Sequence, residues 1–163
     1  MELEYISWDD VDRMCEKLAQ MIHNSGFTPD IIIGIGRGGW IPARLLSDAL
    51  GIKGLFAVRV EFYKSIGKTG GRKPVITQRV PKRIFKGKKV LVVDDVADTG
   101  GSLLTIKGML SGAGEVRTAA LHFKPTSKIK PDFFVETTSA WLVYPWEKYE
   151  TRREQGEGVP QNF

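Results

Sequence analysis

Short β-branched runs and stretches of helical period take turns along this chain. Val11, Met14, Cys15, Leu18 and Ile22 recur at the spacing of one helix face, Ser7 with Asp10 makes a capping box at its start, and Gly26 supplies a stop. Ile31-Ile-Ile-Gly-Ile35 is too short and too β-branched for a helix and predicts a buried strand. The turn Gly36-Arg-Gly-Gly39 follows, and Pro42 opens a helix carrying Leu45, Leu46, Ala49 and Leu50 that Gly51 ends. Leu55–Val60 predicts a second strand. The glycine-rich basic stretch from Lys64 to Arg83 shows no steady period and predicts a loop with room for short strands. Val90-Leu-Val-Val93 is another buried strand, followed by a helix with Leu103, Leu104, Ile106 and Leu110. Further strands are expected at Thr118–Phe123, Phe133–Val135 and Trp141–Val143.

Two strand–loop–helix units followed by more strands predict an α/β fold with an open, mostly parallel sheet. Ligands on such sheets bind beyond the C-terminal ends of the strands, where both glycine loops of this chain fall. The 163 residues, 42% hydrophobic and 26% charged, fit one globular domain spanning 1–163 and exclude a disordered chain. One cysteine excludes an internal disulfide framework and a cysteine-based zinc site. No apolar run reaches the roughly 18 residues of a membrane span. The acidic start Met1-Glu-Leu-Glu-Tyr5 is unlike a signal peptide, so the expectation is a soluble, reduced, cytoplasmic protein without a membrane partner.

The net charge of +5 is not spread evenly. Ten Lys and Arg fall between Lys64 and Lys89 with no Asp or Glu among them, which leaves fourteen basic against nineteen acidic residues in the rest. Such a segment suits the phosphates of a small ligand or of a nucleic acid, and equally a solvated basic loop.

The chemistry concentrates in Val90-Leu-Val-Val-Asp-Asp-Val-Ala-Asp-Thr-Gly-Gly-Ser102. A buried strand delivers Asp94 and Asp95 to a loop made of Asp98, Thr99, Gly100, Gly101 and Ser102, just before a helix. Glycines let backbone N–H groups close around an anion, the hydroxyls add donors, and the helix start adds positive dipole. The result is a phosphate cradle with acids at its rim. It is neither a Walker loop nor a Rossmann fingerprint, because no Gly-Lys-Ser/Thr ends it and its acids precede the glycines.

This segment closely resembles the signature of the type I phosphoribosyltransferases. The resemblance implies a flexible basic loop over about 62–85 and a base-binding hood segment over about 124–150. It also implies phosphoribosyl pyrophosphate (PRPP) with Mg2+ as substrate and cofactor, Thr99 to Ser102 on the ribose 5′-phosphate, and Asp94 and Asp95 facing the ribose hydroxyls and the metal. Neighbouring strand side chains point to opposite faces, so one acid would meet ligand while the other braces the loop. Magnesium prefers oxygen ligands and keeps waters, which suits so sparse a carboxylate set. Gly36-Arg37-Gly38-Gly39 matches the family's pyrophosphate loop, where Arg37 would neutralise the leaving group and Gly38 would expose a backbone donor. Relatives often carry a non-proline cis peptide in this loop, and the sequence leaves its presence at Gly36-Arg37 open.

The C-terminal third is most similar to the 6-oxopurine branch, particularly the xanthine-guanine and hypoxanthine enzymes, through Lys124-Pro125, Asp132-Phe-Phe-Val135, Trp141-Leu142 and Pro145-Trp146-Glu147. By that resemblance the chain is a purine-salvage transferase acting on hypoxanthine, guanine or xanthine. Lys124, a donor only, would meet the purine 6-oxo group. Trp141 would stack on the ring and the Leu142 carbonyl would meet its edge. Asp98 would be the general base, and the loop above the site would exclude water. Glu147 stands where relatives have an Asp near a second metal. Family members are commonly dimers or tetramers, so a homo-oligomer is expected. Read singly, Trp141 and Trp146 also suit a core, and Lys124 a surface. Cys15 is expected in the core, His122 has no assigned role, and the polar tail from Tyr149 is expected to be mobile or to touch a neighbouring subunit. Two alternatives remain open: a phosphoribosyltransferase for adenine or another base, which Lys124 and Trp141 disfavour, and a PRPP-sensing regulator that binds nucleic acid through the basic segment. The intact base site makes nucleic acid the less expected partner.

Overall fold

The computed structural model describes residues 3–63 and 72–158. Lys64, Lys68 and the middle of the expected flexible loop lie outside the described residues.

The elements in chain order are β1 (Leu3–Tyr5), α1 (Trp8–Asn24), β2 (Ile31–Gly36), α2 (Trp40–Leu50), β3 (Leu55–Tyr63) and β4 (Lys73–Gln78). They continue with α3 (Lys82–Phe85), β5 (Lys89–Ala97), α4 (Gly101–Met109), β6 (Glu115–Phe123), β7 (Phe133–Thr137), β8 (Trp141–Val143) and α5 (Lys148–Glu154). Six strands form one sheet in the order β4-β3-β2-β5-β6-β7. Every pair is parallel except β3–β4. The expected open, mostly parallel α/β sheet is therefore present. A separate parallel pair, β1 with β8, sets Leu3 opposite Trp141 and Glu4 opposite Leu142.

The capping box forms as expected. Asp10 N–H donates to Ser7 Oγ at 3.1 Å, and the Asp10 carboxylate accepts from Ser7 N–H at 3.0 Å. Val11, Met14, Cys15, Leu18 and Ile22 are buried, packing α1 and α2 on one face of the sheet with Leu91, Val93 and Leu121 of its core strands. Cys15 belongs to this core, and burial pushes its thiol up to about 12. The opposite face packs Val58, Val90 and Val92 against Leu103 and Ile106 of α4. Because β2 and β5 carry inward-facing residues on both sides, their apolar runs are unbroken.

Three expectations need correction. The second helix begins at Trp40, ahead of Pro42, since proline is tolerated anywhere in a helix's first turn. The basic stretch holds a six-residue strand, which the expected loop with short strands allowed, and a short helix that was not expected. The strand β4 is an almost wholly exposed edge, which gives it no apolar alternation to read. Residues 148–154 of the tail are helical rather than loose.

The chain leaves β2 towards β3 on one side, and leaves β5 towards β6 on the other. The loops after β2 and β5 therefore open together at the point where the strand order reverses, which is where ligands of such sheets bind.

Candidate active site

The β2–α2 turn is built for close approach. A Cβ on Gly38 would collide with the Asp95 carboxylate. One on Gly39 would stand 2.6 Å from the carbonyl oxygens of Ile35 and Val93. The Gly36–Arg37 peptide is cis, a point the sequence left open. Arg37 lines a cavity of about 590 Å³, whose walls include Asp95, Asp98, Lys124, Trp141 and Trp146.

A second cavity of about 730 Å³ lies beside it, lined by Asp94, Thr99 to Ser102 and Lys128. Gly100 has a left-handed φ of 80° and caps the start of α4, where a Cβ would come within 2.6 Å of Ser127 Oγ and 2.9 Å of Ile129 N. The loop is braced by the Lys128 N–H, which donates to the Thr99 carbonyl at 3.0 Å, and by the Gly101 N–H, which donates to Thr99 Oγ1 at 3.3 Å. Thr99, Gly100, Gly101 and Ser102 thus line this cavity together at a helix start.

The paired acids divide between the two cavities. Alternation along β5 sends Asp94 into the cradle side and Asp95 into the Arg37 side, so each acid lines a different cavity. Asp98 and Val96 line both, at the shared wall. Burial first, and the Asp95 charge second, push the Asp94 carboxyl well above the usual range. Burial also raises Asp95, against the hydrogen bonds from Asp94 and from the Val96 N–H at 2.8 Å. The Trp146 indole N–H faces this carboxylate and favours its charged form, without reaching hydrogen-bond geometry. Two crowded carboxylates of this kind gain from a cation, and hard oxygens suit Mg2+. Among the described residues no third His, Cys, Asp or Glu joins them to make an all-protein metal cage, so substrate oxygens and waters would complete the shell.

The residues expected to hold a base also converge. Lys124 follows β6, its N–H donating to the Ala97 carbonyl at 3.0 Å. Its Nζ stands 3.4 Å from Asp98 Oδ1 and 5.4 Å from the Trp141 ring centre. Trp141 is 47% exposed while Leu142 is buried, so the indole offers a free face to the cavity rather than filling the core. Glu147 also lines this cavity, but its Oε1 accepts the Tyr144 N–H at 3.1 Å, and burial raises its carboxyl.

Several lining residues escaped the sequence reading. Lys128 borders the cradle, beside Arg72 of the basic segment already expected to meet phosphates, and Glu150 of α5 meets Arg37 at 2.9 Å. A signal existed for Lys128, which lies in a polar Thr-Ser-Lys run directly after Lys124-Pro125. Of the ten cations in the basic segment, the eight that are described are all exposed. Among the described residues, no helix is long and apolar enough to cross a membrane.

A family model described as a phosphoribosyl transferase domain matches residues 7–147. A Saccharomyces cerevisiae hypoxanthine-guanine phosphoribosyltransferase is 37% identical over 115 residues, 61% of this chain, and the match spans about half (51%) of that relative's length. A purine phosphoribosyltransferase from Pyrococcus horikoshii superimposes with a TM-score of 0.78 at 38% identity, covering 98% of this chain and 97% of the other. A Neisseria gonorrhoeae protein solved with bound ppGpp superimposes with a TM-score of 0.80 at 32% identity, covering 96% and 99%. The match from Ser7 to Glu147 takes in the Arg37 turn, the acid pair, the cradle and the Lys124–Trp141 corner together, and the chain belongs to the phosphoribosyl transferase family.

Proposed function

We propose that this protein transfers the 5-phosphoribosyl group of PRPP to N9 of a 6-oxopurine and releases pyrophosphate. The observation that carries the reading is the position of Asp98. It stands in the wall shared by the phosphate cradle and the aromatic cavity, within 3.4 Å of Lys124 Nζ. The reacting bond must form where those two cavities meet.

On this reading Thr99 to Ser102 hold the 5′-phosphate by backbone N–H groups and hydroxyls. Asp94 and Asp95 face the ribose hydroxyls and would hold Mg2+, which when bound screens the pyrophosphate charge. Arg37 and Gly38 receive the pyrophosphate. The base lies on the Trp141 face, with Lys124 donating to its 6-oxo oxygen and the Leu142 carbonyl at its edge. The bond from N9 to the anomeric carbon forms as the bond to the pyrophosphate oxygen breaks, and Asp98 takes the proton from N7. Positioning and charge complementarity supply most of the rate. An adenine presents a donor where Lys124 also donates, and the unpaired charge disfavours it. The two relatives named as purine enzymes support this substrate class.

The test is a base panel. Protein, PRPP and magnesium are incubated separately with hypoxanthine, guanine, xanthine, adenine, uracil and orotate, and nucleotide products are separated chromatographically. Nucleotide from one or more 6-oxopurines and little from adenine is the expected result. PRPP binding without product from any base would replace the transferase reading with a PRPP-sensing one.

A further inference from the structure

Tyr144 lies one residue beyond β8, the strand that carries Trp141 and Leu142, yet it is 1% exposed and among the largest fully buried side chains. Its hydroxyl donates to the main-chain carbonyl of Asp95 at 3.0 Å. A carbonyl only accepts, so the single hydroxyl hydrogen is committed there. The 2.8 Å contact between the same oxygen and Nδ1 of His122 therefore has the imidazole as donor. His122 is fully buried on β6 and is held as the Nδ1–H tautomer. Its Nε2 has no hydrogen-bond partner among the described residues and stands 3.7 Å from a Glu136 oxygen. The Tyr144 ring stacks on Trp146 with centroids 4.7 Å apart and planes 7° from parallel, and Trp146 lines the cavity that holds Lys124 and Trp141.

On either side of Asp95, β5 is paired with β6 at Asp94, Val96 and Ala97, and within the acid pair the side chains turn back on the backbone. The Asp95 N–H donates to the Asp94 carboxylate at 2.9 Å and the Val96 N–H to the Asp95 carboxylate at 2.8 Å. Beside the β5–β6 pairing and the Lys124 N–H on the Ala97 carbonyl, the Tyr144 hydroxyl ties the Asp95 carbonyl to the segment that follows β8. We propose that Tyr144, oriented by His122, is a positioning residue that fixes the Asp94–Asp95 backbone against the base-binding segment and so keeps the PRPP site and the base site in register. The proposal rests on the reading that Asp94 and Asp95 serve PRPP.

The test is Tyr144→Phe, which removes one oxygen and keeps the stack on Trp146. PRPP affinity is measured by calorimetry in magnesium buffer, and KM and kcat are measured with the preferred base. The Kd and KM for PRPP should rise about tenfold, the scale of one buried hydrogen bond, with kcat changed less. A Tyr144→Phe protein that folds and binds PRPP as the wild type does overturns the proposal. If that variant fails to fold, His122 decides. His122→Leu should weaken PRPP binding several-fold, and His122→Asn, whose amide nitrogen can stand in for Nδ1, should recover most of the loss. Equal behaviour of the Leu and Asn variants overturns the proposal. Calorimetry needs no turnover, so a wild type that binds PRPP but converts no base defeats the transferase reading while the variant-to-wild-type ratio still decides the role of Tyr144. A wild type that binds no PRPP overturns both.

Discussion

One guanidinium nitrogen of Arg37 stands 3.0 and 2.9 Å from the two carboxylate oxygens of Glu150 and joins the β2–α2 turn to α5. Both side chains are about half exposed or more, at 61% and 46%, so the pair adds little to stability. Its consequence is for binding. A carboxylate gripped at the mouth of the site occupies the same donors that a phosphate oxygen would use. Glu150→Gln should therefore leave the melting temperature nearly unchanged and tighten PRPP and pyrophosphate binding by about two- to fivefold, a fraction of the ~1.4 kcal/mol that makes a factor of ten. Calorimetric titration of both ligands checks this. Weaker binding would mean that Glu150 orients Arg37 instead of competing for it.

Asp98 gives a prediction that separates binding from chemistry. Asp98→Asn keeps the shape of the shared wall and removes the proton acceptor. Turnover should fall by about 10²–10⁴, the usual contribution of general acid–base catalysis, while PRPP affinity stays within a few-fold of wild type. Single-turnover rates alongside calorimetry make the comparison. Undiminished turnover would remove Asp98 from the reaction.

How much of this could be read from the chain follows the range of the interactions. The strand–acid–glycine–helix unit of residues 90–102 is local, and both of its cavity walls follow from short-range rules. The Arg37 turn was legible for the same reason. The strand β1 was not, because three residues become a strand only by pairing with β8 at the far end of the chain. The Arg37–Glu150 contact spans 113 residues, and nothing in a polar tail marks which glutamate will meet a distant arginine. His122 sits in an apolar strand and looks like any core histidine. Only the packing of Tyr144 against it, 22 residues on, gives its ring nitrogens a task.

Trp141 and Lys124 should separate base affinity from fold stability. Because the indole is 47% exposed, Trp141→Ala should change the melting temperature little while raising the KM for the base by about 5- to 100-fold, the range expected for loss of one stacking platform. Lys124→Leu should reduce the preference for 6-oxopurines over adenine, since the donor that rejects adenine is gone. Thermal melts and base KM values read the first effect, and competition between hypoxanthine and adenine in one reaction reads the second. An unchanged base KM in Trp141→Ala would place the purine elsewhere.

The acid pair predicts opposite signs for stability and function. Burial and mutual charge raise Asp94 well above its usual value, so the folded protein holds that proton more tightly than the unfolded chain. For such a group the stabilising form is fully present below the unfolded carboxyl pKa, and stability is lost as pH rises through the raised folded value. Asp10 works the other way, because its capping-box bonds lower it to about 2, and its contribution is lost only as pH falls towards that value. At neutral pH without ligand, Asp94 is thus a cost to the fold, and Asp94→Asn should raise the melting temperature by a few degrees. The gain should shrink as pH is lowered towards the carboxyl range, where wild-type Asp94 takes up its proton. The same variant should lose PRPP affinity, because the amide no longer offers a charged oxygen to the metal-bearing substrate. Thermal melts across pH, with and without PRPP and magnesium, test the two halves together. A lower melting temperature for Asp94→Asn at neutral pH would show that the carboxylate stabilises the loop in its ionised form, and would reverse the sign assigned to its burial.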